Sequence, residues 1–195
     1  MEFIMALKDL VQDVHTKAEN EPFAKLLMSG DINPTQYATY LFNQEEAYRA
    51  LEAQADKHGI LDDIPEIRRA DKIKQDFKTC RFMRVMRPEK DHARILPSVR
   101  RYYNYVNEGL TEKQCWAHIY VRHFGDMYGG NMISKRIKFM EHQMYAFDRK
   151  KELIEHVRSK LSDDMVDEAI LVFDYAIGLF KNLKNCQDFR EYIKK

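Results

Sequence analysis

The chain has 195 residues, of which 45% are hydrophobic and 32% are charged. This length and balance are typical of one globular domain, here expected to span residues 1–195. The 32 basic and 31 acidic residues leave a formal net charge of +1, which gives no indication of a nucleic-acid partner.

The cysteines and the apolar segments indicate the cellular setting. Cys80, Cys115 and Cys186 are far apart and odd in number, so they favour neither a zinc ribbon nor a disulfide framework. The first 15 residues lack the basic region and long apolar run of a signal peptide. Because no segment approaches the roughly 18 apolar residues that cross a bilayer, we expect a cytoplasmic protein without a membrane partner.

Apolar residues recur with helical spacing along most of the chain. The first stripe consists of Ile4, Leu7, Val11, Val14 and Ala18. Asn33 and Pro34 are typical of a helix start, and helices are predicted over 34–58, 65–77, 98–109, 111–124, 131–147, 148–161 and 163–185. The segment between Pro88 and Pro97 is predicted to be a loop or a short helix. Because no alternating β pattern exceeds four residues, the predicted fold class is all-α, a single-domain bundle of about seven or eight helices.

His15 is a candidate metal ligand at the edge of the first stripe. Glu19 follows one turn later on the same face, placed to accept a hydrogen bond from one imidazole nitrogen and leave the other free for iron. A histidine in this position is more often a packing residue. From the residues alone, an ordinary His–Glu pair on a helix surface therefore stays open.

A second unusual feature is the segment H-F-G-D-M-Y-G-G-N at 123–131, with glycines at 125, 129 and 130. Each glycine inside a helix costs roughly 1 kcal/mol relative to alanine. The segment is therefore either a loop between two helices or a kinked helix whose backbone approaches something flat. Asp126 would be a helix cap in the first case and a polar group aimed into a pocket in the second. The glycine spacing does not match a phosphate-binding motif.

Two sequence blocks resemble the haem oxygenase family. They are V-H-T-K-A-E-N at 14–20 and A-H-I-Y-V-R-H-F-G-D-M-Y-G-G-N at 117–131. A third stretch, at 167–173, resembles the last core helix of the family. The resemblance covers nearly the whole chain. It implies a helical bundle in which haem lies between a proximal helix and a kinked distal helix.

The resemblance also implies roles for individual residues. His15 would be the axial ligand of the haem iron, with Glu19 as its partner. Gly125, Gly129 and Gly130 would lie across the other haem face, where Asp126 would anchor a water network that supplies protons. The other implied residues are Tyr120, Arg122 and Phe173 around the distal pocket, Arg158 at a haem propionate and Lys8 near the haem edge. The implied catalytic group is then Tyr120, Arg122, Gly125 and Asp126.

The activity implied by the resemblance is the oxidative opening of haem b, which is both cofactor and substrate. Dioxygen and external electrons would convert it to biliverdin, expected as the IXα isomer, with carbon monoxide and ferrous iron. Reduced ferredoxin or a similar donor is the expected electron source, and a bilin reductase is a possible downstream partner. The cations that could attract an acidic donor, or could simply be solvated, are Lys8, Lys135, Arg136, Lys138 and Arg158.

The chain departs from the family pattern at several positions. Gln12 and Ile154 stand where basic residues are common, Tyr128 stands where serine is common, and His123 replaces a common tyrosine. Contacts to the propionates are therefore expected to differ, although the iron ligand and the Gly125–Asp126 pair are retained.

Two other functions remain open from the sequence. A haem carrier or sensor on the same fold would need His15 but not the network around Asp126. A thiaminase-type hydrolase or a di-iron oxidase would need a cysteine nucleophile or paired Glu-x-x-His motifs. No cysteine here has an evident catalytic base, and only Glu89 and His92 have the Glu-x-x-His spacing.

Overall fold

The computed structural model describes residues 7–84 and 95–184, with side chains over 7–80 and 95–184. Those ranges contain α-helices and two short 3-10 turns, at Pro65–Ile67 and Asp163–Met165, and no strand. The helices are α1 (Leu7–Leu10), α2 (Gln12–Asn20), α3 (Pro22–Ser29), α4 (Pro34–Lys57), α5 (Ile60–Asp63), α6 (Ala70–Arg84), α7 (Pro97–Glu108), α8 (Glu112–Tyr128), α9 (Gly130–Arg136), α10 (Lys150–Ser159) and α11 (Val166–Lys184). The predicted all-α class is confirmed.

Capping boxes lie at the start of α4 and of α8. At α4, the Asn33 side chain accepts from the Gln36 backbone N–H at 2.9 Å, and the Gln36 side chain accepts from the Asn33 backbone N–H at 3.1 Å. Thr111 and Gln114 form the same reciprocal pair at α8. Both boxes satisfy backbone donors that have no partner within the helix. The predicted starts of these helices are confirmed.

The predicted N-terminal stripe is buried, but it belongs to two helices. Leu7, Val11, Val14 and Ala18 are all buried, whereas Ile4 lies outside the described residues. Val11 separates α1 from α2 with φ −103° and ψ 6°, although its carbonyl still accepts from the His15 backbone N–H at 3.0 Å. The burial pattern is therefore continuous across the break.

The predicted helix over 131–147 is wrong beyond Arg136, where α9 ends. Side chains from α6 and from the turn before it bind the following segment. Asp76 accepts from the backbone N–H groups of Gln143 and Met144 at 2.9 and 2.8 Å, and Arg69 donates to the carbonyl of Ala146 at 2.7 Å. These tertiary hydrogen bonds take the place of helical ones, which a local pattern cannot anticipate.

Boundaries in the third predicted helix also differ. A 3-10 turn occupies Pro65–Ile67, and α6 begins only at Ala70. Glu52 on α4 accepts from the backbone N–H groups of Arg69 and Ala70 at 2.5 and 2.9 Å, so a neighbouring helix supplies the cap. The segment predicted between Pro88 and Pro97 falls largely outside the described residues, although Pro97 begins α7.

Two long helices organise the packing. The central helix α4 packs against α6, α7 and α8, and α11 packs against α2, α3, α7 and α8. A large cavity lies among α2, α4, α8 and α11. Within the part of the chain that the structure covers, no helix is both long enough and apolar enough to cross a membrane.

Candidate functional site

The cavity has a volume of about 1,000 Å³. This is at the upper end of the range of roughly 300–1,000 Å³ for small-molecule sites, so the cavity suits a large and mainly apolar ligand. It brings together ten of the eleven residues that the sequence predicted, namely Lys8, His15, Glu19, Tyr120, Arg122, Gly125, Asp126, Gly129, Arg158 and Phe173. Gly130 is the predicted residue that does not line it.

His15 on α2 forms one side of the cavity. Its Nδ1 lies 3.7 Å from a carboxylate oxygen of Glu19, longer than an ordinary hydrogen bond, and this nitrogen is buried without a hydrogen-bond partner. The Phe173 ring lies edge-on to the imidazole, with centroids 5.7 Å apart. Because the side chain as a whole is still 43% exposed, the accessible edge of the ring is the one that carries Nε2.

Asp126 on α8 places a buried carboxyl group in the same cavity. The hydroxyl group of Tyr48 on α4 donates a hydrogen bond to this carboxyl group. Burial raises the pKa of Asp126 from 3.8 to about 7, against the opposing effects of the Tyr48 hydrogen bond and the charges of Arg69 and Arg122. The group can therefore accept or release a proton near neutral pH.

A row of polar side chains on α4 was not predicted as part of the site. Tyr40, Gln44 and Tyr48 all line the cavity, at the spacing of four residues that places side chains on one helix face. Gln44 donates to the Tyr40 hydroxyl at 2.8 Å and accepts from Arg122 at 3.1 Å. The sequence shows this spacing, but tyrosines at such positions also fit an ordinary apolar stripe of the core, so the spacing did not indicate a site.

Arg122 is held from its other side by an aromatic ring. Its guanidinium carbon lies 4.1 Å from the ring centroid of Tyr102. The Tyr102 hydroxyl lies 2.8 Å from Nδ1 of His118, whose Nε2 lies 2.7 Å from Glu168. Burial raises the pKa of Glu168, but hydrogen bonds from His118, Gln114 and Tyr105 outweigh that effect and lower it to about 2. An ionised carboxylate thus anchors the chain of contacts behind Arg122.

His123, another departure from the family pattern, lies behind Tyr48. Its ring is buried and meets the Tyr48 ring edge-on at a centroid distance of 4.9 Å. Burial, reinforced by the charges of Arg69 and Arg122, lowers the pKa of His123 to about 3. The imidazole is therefore neutral, and its Nδ1 donates to the Ile119 carbonyl at 3.1 Å.

The backbone at the glycines shows whether the segment 123–131 is a kinked helix or a loop. Gly129 has helical dihedral angles, φ −75° and ψ −36°, and its N–H donates to the Gly125 carbonyl at 2.8 Å. Because α8 ends at Tyr128 and α9 begins at Gly130, the chain continues through Gly129 as an interrupted helix. The alternative of a loop is wrong.

Gly125 and Gly130 have different surroundings. A Cβ atom at Gly125 would meet nothing within 4 Å, because this position faces the open cavity. A Cβ atom at Gly130 would lie 2.2 Å from the ring of Tyr145. Gly130 therefore allows Tyr145 to pack against the helix, whereas Gly125 leaves space for a ligand.

The cavity mouth carries the basic residues. Lys8 and Arg158 line it together with the uncharged Gln12, and Arg158 donates to the Tyr128 hydroxyl at 3.1 Å. Ile154 is on the buried face of α10. Lys150 donates to the Met127 carbonyl and does not line the cavity.

Comparison with known proteins assigns the chain to a family. The sequence profile described as "Heme oxygenase" matches residues 1–179. The chain belongs to the haem oxygenase family. This haem oxygenase family member is 27% identical to heme oxygenase 2 of Synechocystis sp. over 94% of its own length and 81% of the relative. It is 26% identical to human heme oxygenase 1 over 67% of its own length, but the match spans only 46% of the human protein.

Solved structures of the family have the same fold. Heme oxygenase-1 of Synechocystis sp. PCC 6803, crystallised in complex with heme, superposes with a TM-score of 0.79 at 21% identity, covering 96% of this chain and 94% of that one. Heme oxygenase of Leptospira interrogans gives a TM-score of 0.73 at 20% identity, covering 90% and 98%. The helical architecture of this family member is therefore shared with both.

Proposed function

We propose that this haem oxygenase family member opens haem to biliverdin, expected as the IXα isomer, with release of carbon monoxide and ferrous iron. One observation carries the proposal: a single cavity holds both His15 and the buried carboxyl of Asp126. A haem carrier would need the histidine, but it would have no use for a buried carboxyl whose pKa lies near 7.

The residues of the cavity fit haem. Nδ1 of His15 is shielded beside Glu19, which leaves Nε2 as the nitrogen available to the iron. The open space at Gly125 allows a flat ring to approach the helix backbone. When bound, haem supplies the iron that activates dioxygen and the ring that is oxidised. Lys8 and Arg158 line the mouth and would bind its carboxylates.

The remaining residues of the cavity supply and direct protons. Asp126 holds a proton near neutral pH, and Tyr48 keeps the carboxyl in position by donating to it. Arg122, fixed between Gln44 and Tyr102, adds a positive charge that favours release of the Asp126 proton. Because Asp126 is buried, bulk water has little access to its carboxyl group, and protons would be delivered from fixed positions.

External proteins complete the proposed reaction. Reduced ferredoxin or a similar acidic donor would supply the electrons, and a bilin reductase would act on the product. The cations that could attract such a donor are all exposed, namely Lys8, Lys135, Arg136, Lys138 and Arg158. Lys8 and Arg158 also line the cavity mouth, so a donor bound there would lie close to the haem.

The test is turnover of haem by the purified protein. Haem is added with ascorbate or with reduced ferredoxin, and the Soret band is followed while the products are separated by chromatography. We expect the Soret band to give way to a bilin spectrum, and we expect the variant Asp126→Ala to bind haem without producing biliverdin efficiently. A stable Soret band in the wild type would favour a haem-binding protein instead. A normal yield from Asp126→Ala would remove Asp126 from the mechanism.

A further inference from the structure

Tyr128, at the end of α8, lies at the cavity mouth. Among the described side chains it is one of the few large hydrophobic ones that are exposed, at 49%. Its hydroxyl accepts a hydrogen bond from Nη2 of Arg158 at 3.1 Å. Serine is common at this position in the family pattern, and its side chain is too short to make the same contact.

Neighbouring groups hold the Tyr128 ring. Phe124, one turn earlier, meets it edge-on with centroids 5.9 Å apart. The ammonium of Lys150 lies 5.3 Å from the ring centroid while donating to the Met127 carbonyl. A cation at this distance is attracted to the ring. The phenol is therefore oriented despite its exposure, and its hydroxyl remains next to Arg158.

Tyr128 and Arg158 both have hydrogen-bond donors that their mutual contact does not use. Because the Tyr128 hydroxyl accepts from Arg158, its own proton is free to be donated. Arg158 makes no ion pair with any residue that the structure describes, so most of its N–H groups are also free. An arginine fork with an adjacent hydroxyl donor matches the geometry of a carboxylate.

Two positions where basic residues are common carry none here, which leaves Lys8 and Arg158 as the cations at the mouth. Gln12 lines the cavity without a charge, and Ile154 is buried away from it. We propose that Tyr128 and Arg158 together bind a carboxylate of the tetrapyrrole substrate, and that Tyr128 is a specificity-determining residue of this chain. The proposal rests on haem being the ligand of the cavity, as proposed above, but it does not require turnover.

The test is the affinity for two ligands that differ only in their carboxylates. Ferric haem and its dimethyl ester are each titrated into the wild type and into Tyr128→Phe, which keeps the ring and removes only the hydroxyl. We expect Tyr128→Phe to weaken haem binding about tenfold, as for a hydrogen bond to a charged group, and to leave ester binding unchanged. In an Arg158→Ala background, the same substitution should have little further effect.

Tyr103 supplies the matched control, because it is also exposed, at 43%, and does not line the cavity. Tyr103→Phe should change neither affinity. Equal loss of haem and ester binding in Tyr128→Phe, or no loss of haem binding, would overturn the inference. A protein that binds haem through this pair but fails to convert it would contradict only the proposed reaction. A wild type that does not bind haem would overturn both.

Discussion

The Tyr48 hydroxyl donates a hydrogen bond to the carboxyl group of Asp126 and so connects α4 to α8 inside the cavity. The two residues are 78 positions apart in the chain. Burial raises the pKa of Asp126 to about 7, and this hydrogen bond is the first of the effects that oppose the rise. The proton affinity of the carboxyl group therefore depends on how the two helices pack.

The raised pKa predicts how stability depends on pH. Asp126 has a pKa of about 7 in the folded protein and an ordinary value of 3.8, so between those limits the folded state holds a proton that the unfolded state has released. The contribution of Asp126 to the free energy of unfolding therefore falls as pH rises through this window, by about 4 kcal/mol in total. The variant Asp126→Asn has no carboxyl group at this position, so its stability should not show this dependence on pH. Urea unfolding of both proteins at about pH 5 and about pH 8 measures the difference.

His123 provides the reason for comparing the two proteins. Its lowered pKa favours folding as pH rises, which is the opposite slope, and it is present in both proteins. The effect therefore cancels in the difference between them. A difference in the free energy of unfolding that stays constant with pH would show that Asp126 does not titrate in this range.

His15→Ala should leave a folded protein whose bound haem lacks its protein nitrogen ligand. The imidazole is partly exposed. Its removal should therefore cost stability mainly through the edge-on contact with Phe173, which is worth about 1 kcal/mol. Resonance Raman or electron paramagnetic resonance spectra of the haem complex report the ligand. His58→Ala, outside the cavity, should keep the wild-type signature. An iron–histidine signal that survives in His15→Ala would reject His15 as the ligand.

Alanine substitutions at Gly125 and Gly130 should have opposite effects on stability. Gly125→Ala adds a methyl group in open space, so it should stabilise the apoprotein by up to about 1 kcal/mol while weakening haem binding. Gly130→Ala places a methyl group 2.2 Å from the Tyr145 ring and should destabilise the protein by about 1–3 kcal/mol. Thermal unfolding and haem titration check both. The reverse order of stabilities would contradict the difference in packing between Gly125 and Gly130.

Arg158→Ala should keep ligation by His15 and overall turnover but release some biliverdin other than the α isomer. Arg158 lies at the cavity mouth, and it is the arginine proposed above to bind a haem carboxylate. Without that contact, haem can rotate about its bond to His15 and present a different ring edge to dioxygen. Chromatography of the bilin products measures the isomers. Release of the α isomer alone would mean that other groups, with Lys8 the next candidate, hold the carboxylates.

Local sequence signals predicted most of the helices. Asn33 and Gln36 cap α4 as their spacing indicates, and the N-terminal apolar stripe is buried as predicted. The helix predicted beyond Arg136 does not form, because Arg69 and Asp76 bind that segment from elsewhere in the chain. Local propensity is overridden where distant side chains offer the backbone better partners.

The fold class, the family and the candidate site residues could be predicted from the sequence, because helical periodicity, caps and motif spacing are local properties. His15, Asp126 and the three glycines were all visible in this way. The surroundings of these residues depend on how the helices pack. The tertiary structure joins Tyr48 to Asp126, places Tyr145 against Gly130 and brings Tyr128 within hydrogen-bonding distance of Arg158. Each contact connects residues on different elements, and the geometry of such contacts depends on how helices pack rather than on the order of residues within them.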